Sequence, residues 1–168
     1  MSNGFDDNPD EIVGLPTLPD LIPPERIALG VEAVDWRDAT RIAGRLLLDT
    51  GAIREPYIEA MLRTAEELGP YIVIAPGIAM PHARPEEGAI QTALSLVRLN
   101  TPINFGHADH DPVTLIFALA ALDKQIHLRA MQTLATLLLS KDLVRRLMVV
   151  QTKEEVYSLF AQAEQEED

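Results

Sequence analysis

The sequence contains no cysteine. Disulfide scaffolds, thiol nucleophiles and cysteine-ligated zinc sites are therefore excluded. Long apolar runs are also missing, because the longest, residues 115–122, is far shorter than the roughly 20 residues that a membrane-spanning helix requires. The first residues are acidic, whereas a signal peptide begins with basic ones. These absences predict a cytoplasmic protein.

Basic residues are missing from both ends of the chain. Residues 1–25 hold six acidic residues, five prolines and no base, and residues 161–168 hold four acidic residues and no base. Outside these two segments 16 acidic residues face 14 basic ones, so the net charge falls from −12 to −2. Proline removes backbone donors and blocks helix formation. The pattern predicts an acidic, proline-rich flexible extension over residues 1–25, one folded domain over residues 26–163 and an acidic tail over residues 164–168.

The central segment has the composition of a folded domain and no cluster of basic residues. Hydrophobic residues make up 47% of the chain, enough for burial to offset the loss of chain entropy. Arg145 and Arg146 are the only two basic residues that are adjacent in sequence. A protein that follows a phosphate backbone carries a cationic stripe. No nucleic-acid partner is therefore expected.

Periodicity and capping residues predict an α/β fold. Apolar positions repeat at helical spacing after Asp35, an N-cap residue, and after Glu55, where Pro56 occupies the first turn. Short apolar runs between prolines, glycines and asparagines predict strands over residues 71–75, 78–80, 89–99 and 113–121. Three further helices are predicted to begin at the capping residues Asp123, Ser140 and Thr152. Helices before and after a set of strands indicate a central mixed β-sheet flanked by helices on both faces.

Histidines are the candidates for chemistry, because the sequence has no glycine-rich phosphate loop and no G-x-S-x-G motif. His82 lies at the end of an apolar run, in the segment GIAMPHARP of residues 77–85, where prolines stiffen the backbone. A neutral imidazole, with an ordinary pKa near 6.5, can attack phosphorus without a separate base. Arg84 would favour an anionic substrate. A histidine that is merely held in a turn by prolines is the structural alternative.

The other histidines have weaker signals. His127 falls in the first turn after Asp123, where unsatisfied backbone N–H groups favour an anion, although an amphipathic residue at the edge of the core would follow the same pattern. His107, Asp109 and His110 lie in an acidic turn before a strand. Because they lack the helical spacing of a metal site, a connecting turn is favoured there and no metal is expected.

The segment over residues 77–85 resembles the enzyme IIA components of the bacterial phosphoenolpyruvate-dependent sugar phosphotransferase system, in the mannitol/fructose/ascorbate superfamily. The similarity covers most of residues 30–160. Within the superfamily, GPYIVI at residues 69–74 followed by PHARP at residues 81–85 is most similar to the ascorbate type. The resemblance implies the mixed α/β fold of these IIA domains and the activity of a phosphotransferase.

This resemblance also implies roles for individual residues. His82 would be phosphorylated by the phosphohistidine of the carrier protein HPr and would pass the group to a IIB component, serving uptake of an ascorbate-like sugar through the membrane permease IIC. His127 would hydrogen-bond the phosphoryl oxygens or orient His82. The mannitol-type proteins commonly carry an Arg before a Glu upstream of the active histidine, and here Arg84 is expected to supply that charge by stabilising the phosphate. No cofactor or metal is implied.

Three alternatives remain open on the sequence alone. The chain would be a regulatory module if phosphate on His82 served only as a signal to a bound partner. It would serve mannitol or fructose transport if the ascorbate-like segments were not decisive for the substrate. A metal-dependent hydrolase built on His107, Asp109 and His110 is the least favoured of the three.

Overall fold

The structure is a computed structural model that describes residues 17–167, with side chains described through residue 165. The strands in this part of the chain are β1 (Ile27–Val31), β2 (Val73–Ala75), β3 (Ile78–Ala79), β4 (Ala93–Ile103) and β5 (Val113–Ala120). The helices are α1 (Leu18–Leu21), α2 (Trp36–Asp49), α3 (Pro56–Leu68), α4 (Lys124–Leu137), α5 (Lys141–Val149) and α6 (Lys153–Glu167). None of these helices is long and apolar enough to cross a membrane.

The strands form one mixed sheet, as predicted. Their order is β1-β4-β5-β3-β2. The pairs β1–β4 and β3–β5 are parallel, whereas β4–β5 and β2–β3 are antiparallel. The parallel pairing of β3 with β5 brings the carboxyl ends of these two strands to the same edge of the sheet. That edge carries the candidate site.

Helices cover both faces of the sheet, which also confirms the predicted architecture. Helices α2 and α3 pack on one face and supply Ala43, Leu47 and Met61 to its apolar core. Helices α1, α4, α5 and α6 pack on the other face, where Leu134 and Phe160 are fully buried. Strand β5 contributes side chains to both cores and is buried along its whole length apart from one half-buried position. The site at its end therefore has a rigid base.

The predicted capping residues begin their helices. The side chains of Asp35 and Asp123 accept backbone N–H groups three residues on, at 2.9 and 2.8 Å. At the start of α6, Glu155 accepts the backbone N–H of Thr152 at 2.9 Å while the Thr152 hydroxyl accepts that of Glu155 at 3.1 Å. This is the predicted capping box, which satisfies two backbone donors that the helix leaves unpaired.

The end segments differ from the sequence-based expectation. Residues 1–16 of the predicted extension lie outside the described residues, but Leu18, Leu21 and Ile22 are buried in the core. The prolines do not prevent this, because Pro19 occupies the first turn of α1, where a proline is tolerated. At the other end α6 runs to Glu167, into the segment predicted as an acidic tail over residues 164–168. The division of the chain into extension, domain and tail stays a prediction.

One strand is absent from the prediction, and another has different bounds. Strand β1 was not predicted, since Gly30, with a positive φ of 70°, interrupts a run of only five residues. The strand predicted over residues 89–99 begins at Ala93 and continues to Ile103. Its register against β5 shifts between Arg98 and Ile103, and such an irregularity has no signature in the alternation of side chains.

Candidate active site

His82 lies at the carboxyl end of β3, beside the end of β5. The regular pairing of the two strands ends at Ala79, but the backbone of His82 forms one further parallel bridge with Leu119. The backbone N–H of Leu119 donates to the carbonyl of Pro81 at 3.0 Å. This bond fixes the residue before His82 to the central strand of the sheet.

His127 reaches the same edge from the first turn of α4. Strand β5 ends at Ala120 and Asp123 caps the helix shortly afterwards. The backbone N–H of His127 donates to the carbonyl of Asp123 at 2.9 Å, which sets its place in the first turn. The rings of His82 and His127 then lie 5.0 Å apart between centroids and are inclined at 73°. The structure thus brings together the two histidines that the sequence singled out.

The hydrogen bond of the His82 ring determines which of its nitrogens is nucleophilic. Nδ1 lies 3.0 Å from the backbone carbonyl oxygen of Met80. A carbonyl oxygen can only accept, so Nδ1 must carry the proton of the neutral ring. The lone pair of the neutral imidazole is consequently on Nε2. Nε2 is therefore the ring nitrogen of His82 whose lone pair is available to form a bond.

The environment of His127 keeps its imidazole neutral. Burial, and to a smaller extent the charge of the nearby His82, lowers the pKa of His127 to about 4. Nδ1 of His127 is buried and has no hydrogen-bond partner among the described residues. A neutral ring has one N–H and one lone pair. At neutral pH the uncharged His127 ring can therefore donate one hydrogen bond. It does not repel the His82 ring when that ring becomes positively charged.

Two cationic residues, Arg84 and Lys124, line a cleft at the start of α4. Arg84 begins a short 3-10 turn over residues 85–87 and is exposed. Its side chain lines a shallow cleft together with Leu122, Asp123 and Lys124 at the start of α4. The carboxylate of Asp123 is engaged in capping α4. Glu86 lines the same cleft, so the cleft carries charges of both signs beside the N-terminus of α4, with Arg84 and Lys124 as its cationic side chains.

Tyr57 of α3 supports the site and was not singled out by the sequence. Its hydroxyl lies 3.1 Å from the backbone N of Ala83, 3.0 Å from the carbonyl oxygen of Ala83 and 2.8 Å from that of Leu119. The side chain is completely buried. Tyr57 belongs to the apolar face of α3, so the helical spacing of apolar residues predicts only a core position for it. The only signal was the choice of tyrosine where a phenylalanine would pack equally well.

The turn at His107 and His110 is explained by its own hydrogen bonds. The two rings are stacked with centroids 4.3 Å apart. Nδ1 of His107 accepts the backbone N–H groups of Asp109 and His110, both at 3.1 Å. The carboxylate of Asp111 accepts three further backbone N–H groups of the turn. The described residues contain no group of three or more His, Asp or Glu side chains placed to hold a metal ion.

Comparison with known proteins agrees with this geometry. The sequence model of the family "Phosphoenolpyruvate-dependent sugar phosphotransferase system, EIIA 2" matches residues 20–163. The chain therefore belongs to this family of phosphotransferase IIA proteins, and its mixed sheet flanked by helices is the fold of the class. Phosphoryl transfer within a sugar phosphotransferase system is the activity of the class.

Individual relatives narrow the comparison. The ascorbate-specific EIIA component of Escherichia coli K12 is 40% identical over 135 residues, which cover 80% of this chain and 88% of that protein. The solution structure of the mannitol-specific cryptic enzyme IIA CmtB from Escherichia coli is 34% identical with a TM-score of 0.76, covering 86% of this chain and 98% of that one. The mannitol IIA chain in the Escherichia coli complex with phosphorylated IIB is 27% identical, with a TM-score of 0.74, and the match covers 82% and 95%.

Proposed function

We propose that this chain is a phosphocarrier that accepts a phosphoryl group on Nε2 of His82 and passes it to a IIB component. The observation that carries the proposal is the His82 ring itself. Its Nδ1 is held by the Met80 carbonyl, and its centroid lies 5.0 Å from that of the His127 ring. The donor would be the phosphohistidine of HPr, because a neutral imidazole accepts a phosphoryl group from a donor of the same chemical type without a further base.

The transfer balances without a proton from solvent. The N–P bond of the donor phosphohistidine breaks as the bond between phosphorus and Nε2 of His82 forms. The donor ring, which is protonated on its other nitrogen, gives up its positive charge and leaves as a neutral imidazole, and the His82 ring takes on that charge because Nδ1 keeps its proton. The Met80 carbonyl, 3.0 Å from Nδ1, stabilises that charge through a charge-assisted hydrogen bond. In the onward transfer the bond between phosphorus and Nε2 breaks as a nucleophile of IIB bonds to phosphorus, and the His82 ring returns to its neutral form.

His127 and Arg84 have distinct parts in this proposal. His127 donates its N–H to a phosphoryl oxygen, and the arriving dianion raises the pKa of its ring because a negative charge favours the protonated form. Arg84, an exposed residue that lines the cleft at the start of α4, stabilises the phosphate from the solvent side. The first turn of α4 adds the partial positive charge of a helix N-terminus. Together these groups offset the charge of the transferred phosphoryl group.

Exposed apolar side chains support a docking surface for partner proteins, and the similar proteins support a IIB acceptor and an ascorbate-like sugar. Leu122 and Leu128 are 54% and 56% exposed next to the histidine pair, and exposed apolar side chains beside a reactive group suit a transient protein interface. The complex of the mannitol IIA with phosphorylated IIB supports IIB as the acceptor. The ascorbate-specific relative supports an ascorbate-like sugar, taken up through a IIC permease. The relay would operate in the cytoplasm.

The proposal is tested by labelling. Purified enzyme I, HPr and labelled phosphoenolpyruvate are mixed with the wild-type chain, with His82→Ala and with His127→Ala. We expect no label on His82→Ala and slower labelling of His127→Ala. The matched control is His110→Ala, which removes a histidine from the loop over residues 104–112 and leaves the proposed site intact, so its labelling should equal that of the wild type. Label on His82→Ala would contradict the assignment of the nucleophile.

Onward transfer decides the class of function and the sugar. The labelled chain is isolated and offered to an ascorbate-type IIB and to a mannitol-type IIB. Faster transfer to the ascorbate-type protein is expected. Faster transfer to the mannitol-type protein would indicate that the chain serves mannitol-type transport instead. A stable label that leaves with neither protein would favour a regulatory module.

A further inference from the structure

The hydroxyl of Tyr57 lies at the junction of three backbone groups beside His82. The side chain is fully buried, so every polar contact of the hydroxyl has to come from the protein. Its oxygen accepts the backbone N–H of Ala83 at 3.1 Å. Its single hydrogen faces the carbonyl oxygens of Leu119 at 2.8 Å and of Ala83 at 3.0 Å. The hydroxyl therefore ties the residue after His82 to β5.

This contact lies where the sheet stops holding the His82 segment by itself. On the amino side of His82, the carbonyl of Pro81 accepts the backbone N–H of Leu119 at 3.0 Å. On the carboxyl side, the N–H of Ala83 donates to Tyr57 instead. The same Leu119 is thus linked to both neighbours of His82, once directly and once through the Tyr57 hydroxyl. The peptides on both sides of His82 are therefore fixed, and they set the orientation of the His82 ring between them.

Tyr57 also has the protonation state that this bridge requires. Burial raises the pKa of its hydroxyl to about 12, against the opposing effect of the hydrogen bond with Ala83. The hydroxyl is consequently protonated throughout the pH range of phosphoryl transfer and always has a hydrogen to donate. A donor and an acceptor at one atom can bridge an N–H and a carbonyl at once, which no apolar residue at this position can do.

We propose that Tyr57 is a positioning residue for the phosphorylated histidine: its hydroxyl fixes the peptide after His82 against β5 and so aims Nε2 of His82 at the side of His127. The inference rests on the proposed function of His82. Phosphoryl transfer depends on an in-line approach of donor and acceptor nitrogens, and displacement of a reacting group by about 1 Å can cost on the order of a hundredfold in rate. A loosened Ala83 peptide would therefore reduce the rate of transfer rather than the affinity for the donor protein.

The test is Tyr57→Phe, which removes the hydroxyl and keeps the buried ring. The matched control is Ser95→Ala, since Ser95 is also fully buried and its hydroxyl donates to the carbonyl of Ala43 at 2.7 Å without touching the His82 segment. We expect kcat for phosphoryl transfer from HPr to fall roughly tenfold in Tyr57→Phe with KM unchanged. Ser95→Ala should keep the wild-type kcat, and circular dichroism should show both variants folded.

A second measurement does not depend on transfer. Nitrogen-15 NMR of the unphosphorylated chain reports which nitrogen of His82 carries the proton and how fixed the ring is. Tyr57→Phe should reduce the population with the proton on Nδ1, since that state depends on the orientation toward the Met80 carbonyl. If the wild-type chain accepts no phosphate, the proposed function of His82 fails while this readout still decides the role of Tyr57. An unchanged His82 spectrum, or a Tyr57→Phe kcat equal to that of Ser95→Ala, would overturn the inference.

Discussion

The pKa of about 4 for His127 predicts that the protein loses stability when the pH falls from 7.5 to 4.5. An imidazole in an unfolded chain titrates near pH 6.5. Between these two values the unfolded chain binds a proton that the folded chain refuses, so the free energy of unfolding decreases as the pH decreases. The contribution of His127 is fully present above pH 6.5. It is lost progressively until the folded state also takes up the proton, near pH 4.

The size of this loss follows from the two pKa values. Moving a pKa from 6.5 to about 4 corresponds to at most about 3.4 kcal/mol, at 1.36 kcal/mol per pKa unit. The His127 ring is only half-buried, and solvent screening reduces the effect of such a group. We therefore expect the wild-type chain to lose about 1 to 2 kcal/mol through this residue between pH 7.5 and pH 4.5.

The assay is urea unfolding of the wild-type chain and of His127→Gln at both pH values, together with NMR titration of the histidine rings. Carboxylates titrate in the same range, but they contribute equally to both proteins, so the difference between the two pH dependences isolates His127. The variant His82→Gln separates the two causes of the low pKa of His127. Burial is the larger cause of the low pKa and the charge of His82 the smaller one, so His127 in His82→Gln should titrate higher but still below pH 6.5.

Two results would refute this reasoning. One is an NMR midpoint for His127 at or above 6.5 in the unphosphorylated chain, which would mean that the ring is not desolvated at the start of α4. The other is an equal loss of stability in wild type and His127→Gln, which would place the pH dependence in other groups. Either result would also remove the basis for a neutral donor beside His82.

Three further substitutions test the support of the site and the fold. Asp123→Ala removes the cap of α4 and should cost about 1 kcal/mol in urea unfolding, with slower labelling of His82 because His127 is displaced. Arg98→Met should cost about 1 to 3 kcal/mol in thermal unfolding, because two carbonyls at the end of α5 lose their donor, while phosphoryl transfer is unchanged. Gly44→Val should cost about 1 to 3 kcal/mol in the same assay, because even a Cβ at Gly44 would lie 2.8 Å from the side chain of Met61. If any of the three variants is as stable as the wild type, the contact on which its prediction depends does not stabilise the fold.

The helix starts were predictable because their causes are local. Asp35, Asp123 and Ser140 each accept a backbone N–H three residues on, and both partners are visible in a short window of sequence. The strands were less accurate for the opposite reason. The bounds of β4 depend on where its pairing with β5 shifts, and a pairing partner is not visible in the strand itself. The mixed character of the sheet followed from the order of elements, but β1 was too short to be seen.

The site shows the same division between local and distant causes. His82 stood out because prolines surround it, and the resemblance to phosphotransferase IIA proteins paired it with His127. The approach of the two rings depends on the parallel pairing of β3 with β5 and the short connection into α4, which no local pattern specifies. Tyr57 was missed because its partners Ala83 and Leu119 are 26 and 62 residues away in sequence. On the helix it occupies an ordinary core position.

The choice among the histidines is nevertheless made by short-range hydrogen bonds. Nδ1 of His107 accepts two backbone N–H groups of its own turn, so the neutral ring carries its proton on Nε2 and has no free lone pair to offer. Nδ1 of His82 faces the carbonyl of Met80, two residues earlier, so the lone pair is on Nε2. In the proposed function the same side chain is therefore the nucleophile at residue 82, whereas it is engaged at residue 107, because a stiff Met80-Pro81 segment presents a carbonyl where the His107 turn presents N–H groups. For these two histidines the surrounding backbone, rather than the imidazole itself, decides which ring nitrogen keeps an available lone pair.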